Sequence, residues 1–219
     1  DRSFCFQETK PDAINRLTGV RVTSIEIYVE DGVAEAMVKK VCSSMKGTKF
    51  IKVIKYGAAV NAFTILAGTL LRGDDLGHTL FVLDGDVIKT EEEKINAIQK
   101  VLTGNDQRSV GLREQALRKI FQFRLPEGKN PEQCLHDLII QIDTNELDEG
   151  SIEIIEAARN IHFRDDSHDY LTQIIDSLGV ERSVGLTRIV DLAAKHQEWQ
   201  NIIADVEGWL RPEIERLRE

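Results

Sequence analysis

Two short apolar runs in this chain end abruptly in carboxylates. Phe81-Val82-Leu83 runs into Asp84-Gly85-Asp86, and Ile25-Glu26-Ile27-Tyr28-Val29 runs into Glu30-Asp31. A short apolar run bounded by turn residues reads as a buried parallel strand, and the C-terminal end of such a strand is where an open α/β sheet binds its ligand. Carboxylates at that end are hard oxygen donors, and two of them one residue apart both reach a divalent cation, Mg²⁺ or Mn²⁺, placed beyond the strand. By itself Asp84-Gly85-Asp86 also fits a polar turn. The second acid-tipped run is what raises it above that.

The elements between the two runs must bring their ends together. From Gly32 to Ser44, Val33, Ala36, Met37, Val38 and Val41 recur at helical spacing, which predicts a helix packed on the sheet. Glu35 lies near its first turn and points back toward the strand end, where it also complements the helix dipole. Residues 50–54 read as a second strand, followed by a tight turn at Tyr56-Gly57-Ala58-Ala59 and a helix over 60–72 carrying Phe63, Leu66 and Leu70. With the third strand at 79–83, this is a β-α-β-α-β unit, and it sets Glu30, Gly57 and Asp84 along one edge of a parallel sheet.

A strand ending in Val29-Glu30, a helix, a strand and a loop with Gly57, then a strand ending in Asp84-Gly85-Asp86, resembles the Toprim domain of topoisomerases, bacterial primases and nucleases. The wording Ile27-Tyr28-Val29-Glu30-Asp31-Gly32-Val33-Ala34-Glu35 is most similar to the overcoming-lysogenisation-defect (OLD) family of nucleases, over about residues 24 to 90. The resemblance implies an endonuclease that hydrolyses DNA by a two-metal mechanism, with Glu30, Glu35, Asp84 and Asp86 holding the ions. It also implies an acid at the start of a later helix, matched by Glu132 in Pro131-Glu132, and a functional lysine late in the domain, for which Lys195 in Ala193-Ala194-Lys195-His196 is the candidate. Glu132 alone is equally an acid after a helix-starting proline, and Lys195 a solvated helix lysine. In that family the Toprim domain follows an ABC-type ATPase domain, so such a domain in the same polypeptide, together with DNA and a helicase or other protein, are the expected partners.

The chain has 219 residues, 42% hydrophobic and 30% charged, enough for one large core or a core with an addition. Its formal net charge of −9 excludes a generally basic DNA-gripping surface, so metal ions or a local cluster must supply positive charge. Cys5, Cys42 and Cys134 lack the paired spacing of a zinc or redox site and read as reduced thiols. No apolar run is long enough for a membrane helix and no leader pattern opens the chain, which points to the cytoplasm. The start at Asp1, passing at once into Phe4-Cys5-Phe6, reads as a fragment of a longer protein.

The expected architecture is therefore α/β. A lead-in over 1–23, with a helix start at Pro11, precedes a Toprim-like core of parallel sheet and flanking helices over 24–132 and a helical C-terminal elaboration over 133–219. Helices are expected at 90–103, 112–123, 135–142, 151–160, 169–178, 183–197 and 199–218, with Ile120 to Leu125 also readable as a strand. Trp199 and Trp209 read as packing anchors. His168, in an acidic capping loop, could act as a base or ligand. Two alternatives stay open. One is a phosphoacceptor receiver-like signalling domain, which also places acids after its first strand and an aspartate after its third; the other is a catalytically silent Toprim scaffold.

Overall fold

A computed structural model describes residues 24–45, 51–161 and 169–217. The lead-in over 1–23, Cys5 and His168 lie outside the described residues. The apolar runs form the expected strands, β1 (Ile25–Val29), β2 (Ile51–Lys55) and β3 (Thr79–Leu83), joined by a short β4 (Ile120–Gln122). Their order is β2-β1-β3-β4, and every neighbouring pair is parallel. Helix α1 (Gly32–Ser43) connects β1 to β2, α2 (Ala59–Arg72) connects β2 to β3, and α3 (Glu91–Val101) and α4 (Gln107–Leu117) lie between β3 and β4. The chain closes with α5 (Pro131–Ile140), α6 (Glu149–Arg159), α7 (Tyr170–Leu178), α8 (Arg182–Ala193) and α9 (Trp199–Arg216). The molecule is an α/β protein with a parallel sheet flanked by helices and a helical C-terminal elaboration, the class expected.

Strand burial explains the strand sequences. The interior strand β3 is buried at all five positions, so its sequence is an unbroken apolar run. Its side chains alternate between two cores, Leu80 and Val82 on one face of the sheet and Phe81 and Leu83 on the other. The first face is covered by α1, through Val33, Met37 and Val41, and then by the C-terminal helices, with Leu135, Ile139, Ile155, Ile189 and Val206 in the same cluster. The second face is covered by Phe63, Leu66 and Leu70 of α2 and Ile98 of α3, with Tyr28 and Phe81 stacked at 4.6 Å.

Three expected helices have clearly different bounds, and the one expected over 135–142 runs instead from Pro131 to Ile140, started by the Asn130 cap and Pro131. In place of a helix over 112–123, α4 starts at Gln107, where Asp106 accepts the Ser109 N–H, and ends at Leu117. Ile120-Phe121-Gln122 is instead a strand, because pairing with Phe81 to Leu83 gives its backbone a ladder partner and buries Ile120. The helix expected over 183–197 ends at Ala193, and the chain turns through Lys195 and His196, whose N–H groups bond to Leu192 and Ala193 carbonyls. Trp199 is 2% exposed and belongs to the core, and Trp209 packs against it, as anchors should.

Residues on both sides of position 132 share the first core, so the C-terminal helices and the sheet should unfold together. Far-UV circular dichroism and tryptophan fluorescence, both tryptophans lying in α9, are expected to change in one urea transition. Leu135→Ala, at a fully buried position, is expected to lower stability by about 2–5 kcal/mol in that measurement while keeping the two probes coincident. Separated transitions would mean that the helices hold a core of their own.

Candidate functional site

Strands β1 and β3 are direct neighbours with Ile27 opposite Leu80 and Tyr28 opposite Phe81, so the residues just past Val29 and Leu83 emerge side by side. Each carboxylate there meets a specific backbone need. The Glu30 side chain accepts the Ala59 N–H at 3.1 Å, at the start of α2, where Ala58 has no side chain able to cap. The Glu30 carbonyl accepts the N–H of Gly57 at 2.9 Å, and Gly57 turns the chain with φ +82°. Asp31 caps α1 through Val33 and Ala34 N–H at 2.8 and 3.0 Å. Asp86 accepts its neighbour Val87's N–H at 2.8 Å.

Asp84 differs from these three. Its Oδ1 is buried and has no hydrogen-bond partner. Burial, reinforced by the negative charges of Glu30, Asp31, Asp86 and Glu132, pushes the Asp84 carboxyl up to about 9. Glu30 is pushed up to about 7 by burial first and Asp86 next, against the opposing Ala59 N–H, with Asp31 and Glu132 adding to the rise. Glu132, 7% exposed in the first turn of α5, is thereby part of the same electrostatic group although it is far away in sequence. Like charges repel more strongly as water is excluded, so this group is held together by the fold and against its own charge.

The turn itself is built by close approach. Gly85 has φ +90°, and a Cβ there would lie 2.8 Å from the Phe123 carbonyl oxygen. Glycine is thus required between the two aspartates, where the chain passes over the end of β4. Beside it, Gln122 donates through Nε2 to the Lys89 carbonyl at 3.2 Å, while its Oε1 is buried without a partner. Sequence reasoning missed Gln122. The available signal was one amide inside the run Ile120-Phe121-Gln122-Phe123. Behind the site, the buried Tyr56 hydroxyl donates to the Val82 carbonyl at 2.8 Å, and burial raises its pKa.

Two expected residues stand apart. Glu35 lies beside the group but pairs with Lys39 at 2.6 Å and Lys55 at 3.1 Å. Burial alone would raise its pKa, yet these two lysines hold it below the ordinary range. Lys195 is exposed in the turn after α8, where its charge acts on Asp148 at the start of α6. The strongest charge effects on Asp84 and Glu30 come from carboxylates. Cys42 and Cys134 are buried free thiols pushed up by burial to about 12 and about 11, which leaves them unreactive.

The donor set is all hard oxygen, and the orphaned Asp84 Oδ1 at its centre fits a divalent cation. Among the described residues, however, no three His, Cys, Asp or Glu side chains are already gathered around a single point. The capping bonds account for this, since Glu30 and Asp86 turn toward backbone N–H donors while their charges repel one another. Also among the described residues, no helix is long and apolar enough to cross a membrane. Comparison with family models, curated proteins and solved structures returns no match to this chain.

An acid whose pKa is raised by folding holds its proton more tightly folded than unfolded. Its contribution is complete below the unfolded value, 3.8 for Asp84, and is lost as pH rises through the folded value of about 9. The metal-free protein is therefore expected to lose thermal stability as pH rises from about 5 to about 9, with Glu30 contributing through about 7. Asp84→Asn should flatten that slope and raise the melting temperature near pH 9 by at least about 2–4 °C, the shift that about 1 kcal/mol gives in a chain of this size. A slope unchanged by Asp84→Asn would show that Asp84 ionises there at no cost.

Proposed function

We propose that this chain is a metal-dependent endodeoxyribonuclease of Toprim type, the catalytic part of a larger ATPase–nuclease of the OLD kind. The observation that carries the reading is the buried, unpartnered Oδ1 of Asp84, set among Glu30, Asp31, Asp86 and Glu132 at the C-terminal edge of a parallel sheet. A cation there would compensate the group once Glu30 and Asp86 turn inward from their backbone partners. The parallel β-α-β-α-β arrangement with Glu30 and Asp84 on adjacent strands supports the same reading.

Asp84, Asp86 and Glu30 would hold Mg²⁺ or Mn²⁺, and Glu132 would help to hold a second ion. When bound, the ions supply a water of lowered pKa and stabilise charge on the scissile phosphate and the leaving 3′-oxygen. The chain's own contributions are placement and release. Glu30 and Asp86 give up one backbone N–H each on turning inward, and Gly85 keeps the two aspartates on a fixed turn. Glu35 would join on leaving its two lysines, which are exposed pairs worth about 0–1 kcal/mol each and so exchanged at small cost. Lys195 remains a candidate charge-stabilising group from the late helical region. No base-reading element is apparent, so cleavage would show little sequence preference.

One observation favours a second reading. The strand order β2-β1-β3-β4 matches the first four strands of flavodoxin-like receiver sheets, with Asp84 in the acceptor position after β3. A fifth strand carrying a lysine is absent among the described residues. Acetyl phosphate separates the two readings, because only a receiver would be labelled, through Asp84.

Supercoiled plasmid incubated with the chain and Mg²⁺ or Mn²⁺ is expected to be nicked or linearised, and an Asp84→Ala, Asp86→Ala double variant to lose at least about 100-fold of that activity. A wild-type chain inert with every metal, alongside Asp84-dependent labelling by acetyl phosphate, would replace the nuclease reading with the receiver one.

A further inference from the structure

Beside the acid group lies a cavity of about 320 Å³ formed by the end of β2 and the first turns of α1 and α8. Its position is fixed by the sheet. Lys55, on its wall, is the last residue of β2 and stands opposite Val29, one residue before Glu30, while Gly32 lies two residues after Glu30. We infer that this cavity seats a backbone phosphate of the DNA strand being cut, gripped by Lys55, Lys39 and Arg182. The inference rests on the nuclease reading and adds to it the place where the strand is held next to the reacting centre.

Three cationic side chains line the cavity against two carboxylates, Glu35 and Glu181, in a chain whose net charge is −9. Polyanion affinity comes from local phosphate contacts, so a basic pocket of this kind is needed wherever such an acidic chain holds DNA. The cations are available to an incoming anion. Lys39 and Lys55 are 63% and 56% exposed and share a single partner, Glu35. Arg182 donates through Nη1 to the Thr172 hydroxyl at 2.9 Å, leaving further donors of its planar fork for a phosphate. Glu181 is occupied at the start of α8, where it caps the Ser183 N–H.

Two other cavities among the described residues lack this combination. One of about 440 Å³ has its cations committed, Arg124 in a two-bond pair with Asp205 and Lys129 in a pair with Asp137. One of about 300 Å³, lined by Asp75, Arg118 and Lys119, lies at the opposite edge of the sheet, before β3 and β4, away from the acid group.

Glu35 links cavity and centre. The same carboxylate that neutralises Lys39 and Lys55 is a candidate ligand for the ions, so a phosphate taking the lysines frees Glu35 to turn to the metal. Strand binding and completion of the acid centre would then assist one another.

The test is fluorescence anisotropy of the full chain with a labelled oligothymidylate in Ca²⁺ over a range of salt. Lys55→Gln and Arg182→Gln are each expected to weaken binding about three- to tenfold and to lower the log–log salt slope by about 0.7, while Lys100→Gln on α3 leaves both unchanged. Thermal melting of each variant checks that it is folded. If the wild type binds and cuts DNA but Lys55→Gln and Arg182→Gln bind with its affinity and salt slope, the phosphate seat is overturned and the nuclease reading stands. If the variants weaken binding although no metal supports cleavage, the nuclease reading fails and with it the seat for a strand being cut, leaving a cavity that binds a nucleic-acid phosphate. If the wild type neither binds the oligonucleotide nor cuts plasmid, both fall.

Discussion

The structure depends on keeping several carboxylates together at the dry end of a parallel sheet. Burial first, and then the charges of Glu30, Asp31, Asp86 and Glu132 around Asp84, drive Asp84 and Glu30 toward their protonated forms. That repulsion is offset by burial elsewhere. Each face of the sheet has its own apolar core, and β3, which ends in Asp84, feeds side chains into both. A strand clamped from two sides cannot retreat to relieve the charge at its tip. The electrostatic cost of that crowding therefore stays at the tip of the strand.

The acids of the group also hold the fold in place. Glu30 serves a helix that has no cap of its own, Asp31 starts α1, and Asp86 closes the turn after Gly85. Asp84 alone has no such duty for its Oδ1. This division makes Asp84 the strand-end acid whose presence the architecture does least to explain, and a local structural role accounts better for Glu30, Asp31 and Asp86.

Much of this was legible in the sequence, for identifiable reasons. β1 and β3 are apolar runs broken off by acids, a pattern set by burial along the strand and solvent at its end, so Glu30, Asp84 and the parallel arrangement could be read directly. The three-residue strand β4 was readable as a strand from Ile120, but the end of the helix before it was not, because Ile120-Phe121-Gln122 has no period of its own and is fixed as a strand by pairing with β3. Gln122 went unnoticed for the same reason. Glu35 was legible as a residue near the strand end, but its two lysine partners depend on the fold, Lys39 one helical turn away and Lys55 on the next strand. The cavity that joins Lys55 to Arg182 unites positions remote in sequence, so no local motif announces it.

The all-parallel sheet also bears on how the chain reaches this state. No two neighbouring strands are joined by a hairpin, and β1 must wait for α1, β2 and α2 to be made before β3 exists to pair with it. Loop-closure entropy is spent before any ladder repays it, which makes such topologies slow relative to helical bundles of the same size. The quickest local structure available is helical, and α1, capped by Asp31, directly follows the first strand. Asp31 can thus act early, as a local starting point for α1, whereas Glu30 reaches the Ala59 N–H across 29 residues of chain and serves α2 only once β1 and β2 are paired.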